Sequence, residues 1–194
     1  MSIEKSTLQE IFKNISFSKE EENLIESKLE KLTLKKGTIL LKAGDKVINQ
    51  YYVHQGCLRT YFIDTSGKEH TLQFAINDWW ISDYTAIFTT SNAIMYIETI
   101  QEATLYKISQ KSMEDLFKEI PLLETFFRKK MEGAFARFQK RILANLAQSA
   151  KERYISFINT YPNIEQSVKN YHIASYLGIT TESLSRIRKD ISHN

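Results

Sequence analysis

Glu182, Ser185, Arg186 and Lys189 are the residues whose types and spacing best suit chemistry. At ~100° per residue they fall on one side of a helix beginning at Thr181, and Leu184, Ile187 and Ile191 cluster on the other. The apolar stripe would anchor the helix and the polar stripe would face outward. Arginine grips guanine through two hydrogen bonds, and glutamate accepts one from the cytosine amino group. Arg188, on the flank, and Lys189 suit phosphates, which give affinity without sequence information. The alternative is an ordinary amphipathic helix.

Such a helix needs a mount, and the preceding residues supply one. Asn170 is a candidate N-cap, and Tyr171, Ile173, Ala174 and Leu177 follow at helical spacing. Gly178 sits where the chain must turn, since glycine enters the left-handed region at little cost. Ile179 can plug the corner and Thr180 can cap the next helix. The small Ala174 lets that helix cross closely. Helix, short glycine turn and capped helix make a helix-turn-helix.

Upstream, residues 6–32 read as helical, with Ser18 and Glu21 as a capping box. Residues 35–108 hold short β-prone runs at 38–42, 50–54, 58–63, 71–74, 93–100 and 103–108, separated by turn residues. That spacing predicts an antiparallel sandwich or barrel, with a hairpin tip at Asp64 to Gly67. Ser109 and Ser112 can cap a short helix that Pro121 ends. A helix of ~35 Å then follows, with Phe127, Met131, Ala134, Phe138 and Ile142 along one stripe. It is either a core helix or one that pairs with its twofold mate. Ser149 and Glu152 form a further capping box.

The 194 residues suit a medium domain plus a small one. From Pro121 onward there are 12 basic and 6 acidic residues, and before it 14 and 17. A basic C-terminal part fits an anionic partner, although a solvated helix surface would also give it. Cys57 is the single cysteine, which excludes an internal disulfide and a four-cysteine metal or cluster site. It is either a redox-sensitive thiol or a buried small residue. No apolar run reaches the ~20 residues of a membrane span. Residues 1–10 lack the basic-then-apolar pattern of a secretory signal, so a cytoplasmic location is expected.

The stretch 173–188, IASYLGITTESLSRIR, resembles the helix-turn-helix of Crp/Fnr transcription regulators. In that family a glutamate and an arginine four residues later read the operator, and Glu182 and Arg186 match them. Thr181 stands where an arginine is frequent. The resemblance continues upstream through 35–45 (KKGTILLKAGD), 51–56 (YYVHQG), 64–69 (DTSGKE) and 77–80 (NDWW), which look like parts of a cyclic-nucleotide-binding β-roll.

It implies an α+β protein and not an enzyme. An antiparallel sensor β-roll of the double-stranded β-helix, jelly-roll-like kind with flanking helices would occupy residues 1–120. A long dimerisation helix would follow at 121–148, and a helix-turn-helix domain at 149–194. DNA, a second copy of the chain and a small-molecule effector are the implied partners, with no membrane. DNA contacts would come from Thr181, Glu182, Ser185, Arg186, Arg188 and Lys189.

One departure concerns the ligand. Family members that bind cyclic nucleotides follow the turn with Gly-Glu and then an Arg-Ser/Thr-Ala run, which holds the phosphate. Here 81–95 reads ISDYTAIFTTSNAIM, and no arginine lies between Arg59 and Arg128. Ser82 and Asp83 could replace Gly-Glu, but a buried phosphate would lack its cation. Cyclic AMP is therefore not the expected ligand, and no cofactor is certain. Trp79, Trp80, Tyr84, Met95 and Tyr96 suggest an apolar or aromatic effector, or a filled core. Arg59 is either a surface charge or, if buried facing inward, the one anion anchor available. Two further readings are a ligand-free interaction module and a cupin-like metal protein. The latter would have to draw on His54, His70, His172 and His193, which include no His-x-His pair.

Overall fold

The computed structural model describes residues 5–192. His193 lies outside them. Contacts divide the chain into two compact units, one of residues 1–60 and 74–130 and the other of residues 61–73 and 131–194.

In the first unit, helix α1 (Lys5–Ile11) precedes helix α2 (Lys19–Lys28). The expected capping box starts α2: Ser18 Oγ accepts from the Glu21 amide at 3.2 Å, and Glu21 Oε2 accepts from the Ser18 amide at 2.7 Å. The helix stops short of the expected residue 32. Leu29 is extended, and strand β1 (Glu30–Leu34) pairs antiparallel with β8 (Ala103–Ser109). Residues 31–34 alternate polar and apolar, and pairing along β8 outweighs the helical spacing of Leu29.

The remaining strands are β2 (Ile39–Leu41), β3 (Asn49–Gln55), β4 (Leu58–Ile63), β5 (Glu69–Ala75), β6 (Trp79–Ile81) and β7 (Tyr96–Thr99), with helix α3 (Tyr84–Thr89) before β7. They form two four-stranded sheets, ordered β1-β8-β3-β6 and β2-β7-β4-β5. The fold is therefore the expected α+β arrangement of antiparallel sheets with flanking helices. Strand β6 and helix α3 were not expected, and β7 is shorter than the run at 93–100. Asp83 accounts for α3, since its buried carboxylate caps the helix.

Alternation along the strands builds two apolar clusters. Tyr51, Val53, Leu58, Ile81, Ile97 and Leu105 fill the space between the sheets. Tyr52, Trp80, Tyr106 and Ile108 point the other way, under α1, α2, α4 (Gln110–Glu119) and the start of α5 (Pro121–Ala147). Gly56, between β3 and β4, has φ +103°, and a Cβ there would lie 2.5 Å from the Glu102 carbonyl oxygen. Only glycine fits that turn.

Helix α5 has 27 residues, ~40 Å at 1.5 Å each. Its first turns bury Leu123 and Phe127. Phe127 is thus core, not a residue open to a partner. Met131 and Ala134 are half-buried, and Phe138 and Ile142 are exposed with Phe135, Leu143 and Leu146.

The second unit holds the hairpin 61–73, the rest of α5, helices α6 (Ala150–Thr160), α7 (Asn170–Leu177) and α8 (Thr181–Ser192), and a 3-10 turn (Ile164–Gln166). The Ser149–Glu152 capping box opens α6 as expected. Tyr154, Phe157, Tyr161, Ile173, Leu177, Leu184 and Ile187 make its core. Among the described residues no helix is long and apolar enough to cross a membrane.

Candidate nucleic-acid interface

Helix α7 ends at Gly178, whose left-handed backbone (φ 67°, ψ 35°) lets its amide reach the Ala174 and Ser175 carbonyls. The Ile179 amide then donates to Ala174 O at 3.0 Å. Thr180 caps α8, with its hydroxyl accepting from the Ser183 amide at 3.2 Å. Helix α8 begins at Thr181, where the sequence places it. Leu184 and Ile187 are buried and Ile191 is half-buried, whereas Glu182, Ser185, Arg186 and Lys189 are exposed. Glu182 sits in the first turn, and its carboxyl is held below the usual range by its own backbone amide and by the Thr180 and Thr181 hydroxyls. It is a carboxylate at neutral pH, so it can only accept hydrogen bonds.

Two expectations need correction. Asn170 is not the N-cap of α7. That position is Lys169, and Asn170 is the first helical residue, with Oδ1 accepting from Arg188 Nη1 at 2.6 Å. Arg188 is not a free phosphate-facing cation. Its Nη2 donates to Glu165 at 2.5 Å and its Nε to the Tyr154 hydroxyl at 3.2 Å.

The hairpin tip was legible in the sequence, but its attachment to α7 and the role of Arg141 were not. Ser175 of α7 accepts from the Thr71 amide at 2.9 Å and donates to the Glu69 carbonyl at 3.0 Å. Arg141 of α5 donates to the carbonyls of Leu72, Thr71 and Tyr176, and its guanidinium lies 3.9 Å from the centre of the Tyr176 ring. A basic residue six turns into an amphipathic helix reads as solvated, so only a tertiary partner reveals this role.

The residues expected to line a ligand pocket fall into three settings. Trp80 is core, edge-on to Phe127 with centroids 4.8 Å apart. Ser82 and Asp83 serve the backbone: Ser82 donates to Asn49 O at 2.8 Å, and Asp83 accepts from the amides of Ala86, Ile94 and Met95 at 3.1, 2.9 and 3.3 Å. Asp83, expected to stand in for the ribose-binding glutamate, is fully buried and caps α3 through the Ala86 bond. Trp79, Tyr84, Met95 and Tyr96 are half-buried, with the Tyr84 hydroxyl donating to Gln50 at 3.3 Å.

Arg59 is buried, yet its Nε and Nη2 both donate to Glu98 Oε1, at 2.8 and 2.6 Å. Leu58 points between the sheets, so its neighbour Arg59 points to the opposite face. It is an ion-pair partner, not an inward anion anchor. Among the described residues no group of three or more His, Cys, Asp or Glu could hold a metal ion.

Residues 31–120 match the cyclic nucleotide-binding domain family. The chain is 25% identical over 177 residues to the anaerobic regulatory protein of Aggregatibacter actinomycetemcomitans, covering 86% of this chain and 67% of that one. The solved structure of FixK2 from Bradyrhizobium japonicum superposes with a TM-score of 0.75 at 15% identity, covering 85% of each chain. A structure from Eubacterium rectale described as a Crp/Fnr transcriptional regulator gives 0.70 at 22% identity, over 91% of this chain and 84% of that one. The chain thus carries a cyclic nucleotide-binding domain fold and is similar over most of its length to Fnr-type and Crp/Fnr regulators. That similarity supports a DNA-binding transcription regulator with a sensor domain. What sets it apart within the Crp/Fnr pattern is local: Thr181 in place of a frequent arginine, and a roll whose buried arginine is already neutralised.

Proposed function

We propose that this regulator works as a cytoplasmic homodimer whose two α8 helices read adjacent major grooves. Glu182 and Arg186 would contact base edges, with Thr181 and Ser185 beside them and Lys189 on a phosphate. The observation carrying this reading is the exposed stripe of Glu182, Ser185, Arg186 and Lys189 on a helix anchored by Leu184 and Ile187. The partner would be a second copy joined along Phe135, Phe138, Ile142, Leu143 and Leu146, all exposed on α5. A twofold dimer sets the two recognition helices ~34 Å apart, one turn of DNA.

The sensor's ligand would be an uncharged, apolar or aromatic molecule rather than a cyclic nucleotide. Glu98 already satisfies Arg59, and an added buried phosphate would face a spent cation. Binding would shift the balance between two arrangements of the dimer helices in proportion to its differential affinity for them.

The test is selection of duplexes from a random pool by the full chain, then anisotropy titration. Arg186→Ala and Glu182→Gln should each weaken the selected duplex ~10–100-fold and relax preference at one base position. Lys189→Ala should weaken all duplexes alike and lower the salt slope by about one. A wild-type chain that enriches no sequence would refute the reading.

A further inference from the structure

We infer that Arg188 is a positioning residue for the recognition helix, a clamp that sets the orientation of α8 rather than a contact to DNA. The inference rests on α8 being the reading helix and deepens that assignment.

All three guanidinium nitrogens are engaged, each by a different element. Nη2 donates to Glu165 Oε1 at 2.5 Å in the 3-10 turn, Nη1 to Asn170 Oδ1 at 2.6 Å at the start of α7, and Nε to the Tyr154 hydroxyl at 3.2 Å on α6. The Tyr154 hydroxyl in turn donates to the same Glu165 oxygen. Tyr154 is buried, so the far end of the network is fixed in the core. One planar fork thus joins α8 to the three preceding elements of its unit, through a charge-assisted bond and two neutral acceptors.

The position matters for reading. Arg186 precedes Arg188 by two residues and Glu182 by six. Leu184 and Ile187 hold α8 down, but apolar packing alone leaves it free to turn slightly about its axis. Base readout tolerates only about 10–20° of misorientation. Three hydrogen bonds radiating from one flank resist that rotation. They use three of its five N–H donors and aim the fork inward, whereas Arg186 and Lys189 lie exposed on the outer face.

Chemistry separates the clamp from a phosphate contact. A phosphate contact needs charge, and lysine supplies it. The clamp needs a fork with donors on three nitrogens, and lysine cannot bridge those acceptors. The experiment titrates the wild type, Arg188→Lys, Arg188→Ala, Glu165→Gln and the Arg188→Lys/Glu165→Gln pair. Each is titrated against a duplex selected by the wild type and a scrambled one, from ~50 to 200 mM salt.

The expected result is that Arg188→Lys, Arg188→Ala and Glu165→Gln each cut the preference for the selected duplex ~10-fold or more. Affinity for the scrambled duplex and the salt slope should stay near wild type, and the double variant should lose no more than the single ones. Two results overturn the clamp: lysine restoring wild-type preference while alanine lowers the salt slope by about one on both duplexes, or Glu165→Gln leaving preference intact. Melting curves check folding. If an Arg188 variant does not fold, Glu165→Gln and Asn170→Ala decide by the same measure, loss of preference supporting the clamp and retention overturning it. A wild-type chain that prefers no duplex refutes the DNA reading instead, so the two failures are distinguishable.

Discussion

Cys57 and Glu182 show opposite ways in which surroundings set a side chain's chemistry. Cys57 is 2% exposed, and burial pushes its thiol up to about 12. A raised pKa keeps the protonated form as pH rises, so at pH 7–8 the thiolate that would react is nearly absent. We therefore expect native protein to resist iodoacetamide at pH 8 and to take up one equivalent once unfolded in urea. Rapid labelling of the native chain would refute this. Glu182 lies at a helix N-terminus among donors, which favour its charged form, so it stays a carboxylate as pH falls toward the ordinary carboxylate range. The sequence already separated Glu182, Ser185 and Arg186 from Leu184 and Ile187, because helical period alone sorts faces. It did not reveal the duty of Arg188, whose partners Glu165 and Tyr154 lie 23 and 34 residues away.

At the scale of the element, α5 carries the clearest division. Its first turns are committed to the core through Leu123 and Phe127, while Phe138 and Leu143 further along are exposed. The same apolar stripe is therefore buried at one end and exposed at the other, and the pattern of spacing could not say where the change falls. If the exposed stretch meets a second copy, Phe138→Glu buries two twofold-related carboxylates at the seam, each without a partner. We expect this variant to sediment as a monomer at micromolar concentration, keep the wild-type circular dichroism, and lose most affinity for a two-half-site duplex. A dimeric Phe138→Glu protein would remove this stretch from the interface. Caps were legible, since Ser18–Glu21, Ser149–Glu152 and Thr180 act within three residues. Strand β1 was not. Leu29 and Leu32 fit helical spacing, and only the register Glu30↔Lys107 through Leu34↔Ala103 makes this stretch a strand.

For the molecule as a whole, strands β4 and β5 run out of the sensor sheets into a hairpin grouped with the DNA-binding helices. Ser175 holds that hairpin to α7 through two hydrogen bonds, and Arg141 caps three carbonyls beside it. Ser175→Ala leaves the Thr71 amide and Glu69 carbonyl without that partner, at a cost of about 1–3 kcal/mol if they stay dry. Hydrogen exchange should then show faster exchange at Thr71, with α8 amides unchanged. Unaltered exchange at Thr71 would mean that the latch contributes nothing.

Sequence alone determined what acts over a few residues: the two capping boxes and the Thr180 cap, the glycine turn, the start of α8 at Thr181, its two faces, and the strand-and-turn rhythm of the roll. These follow from backbone geometry and side-chain period, both local. Tertiary structure decided which polar groups are free. It paired Arg59 with Glu98 across 39 residues, consumed Asp83 in three amides, and tied Arg188 into a clamp. A charged side chain's role depends on what lies within about 3 Å of it, and that is fixed only when distant segments come into register.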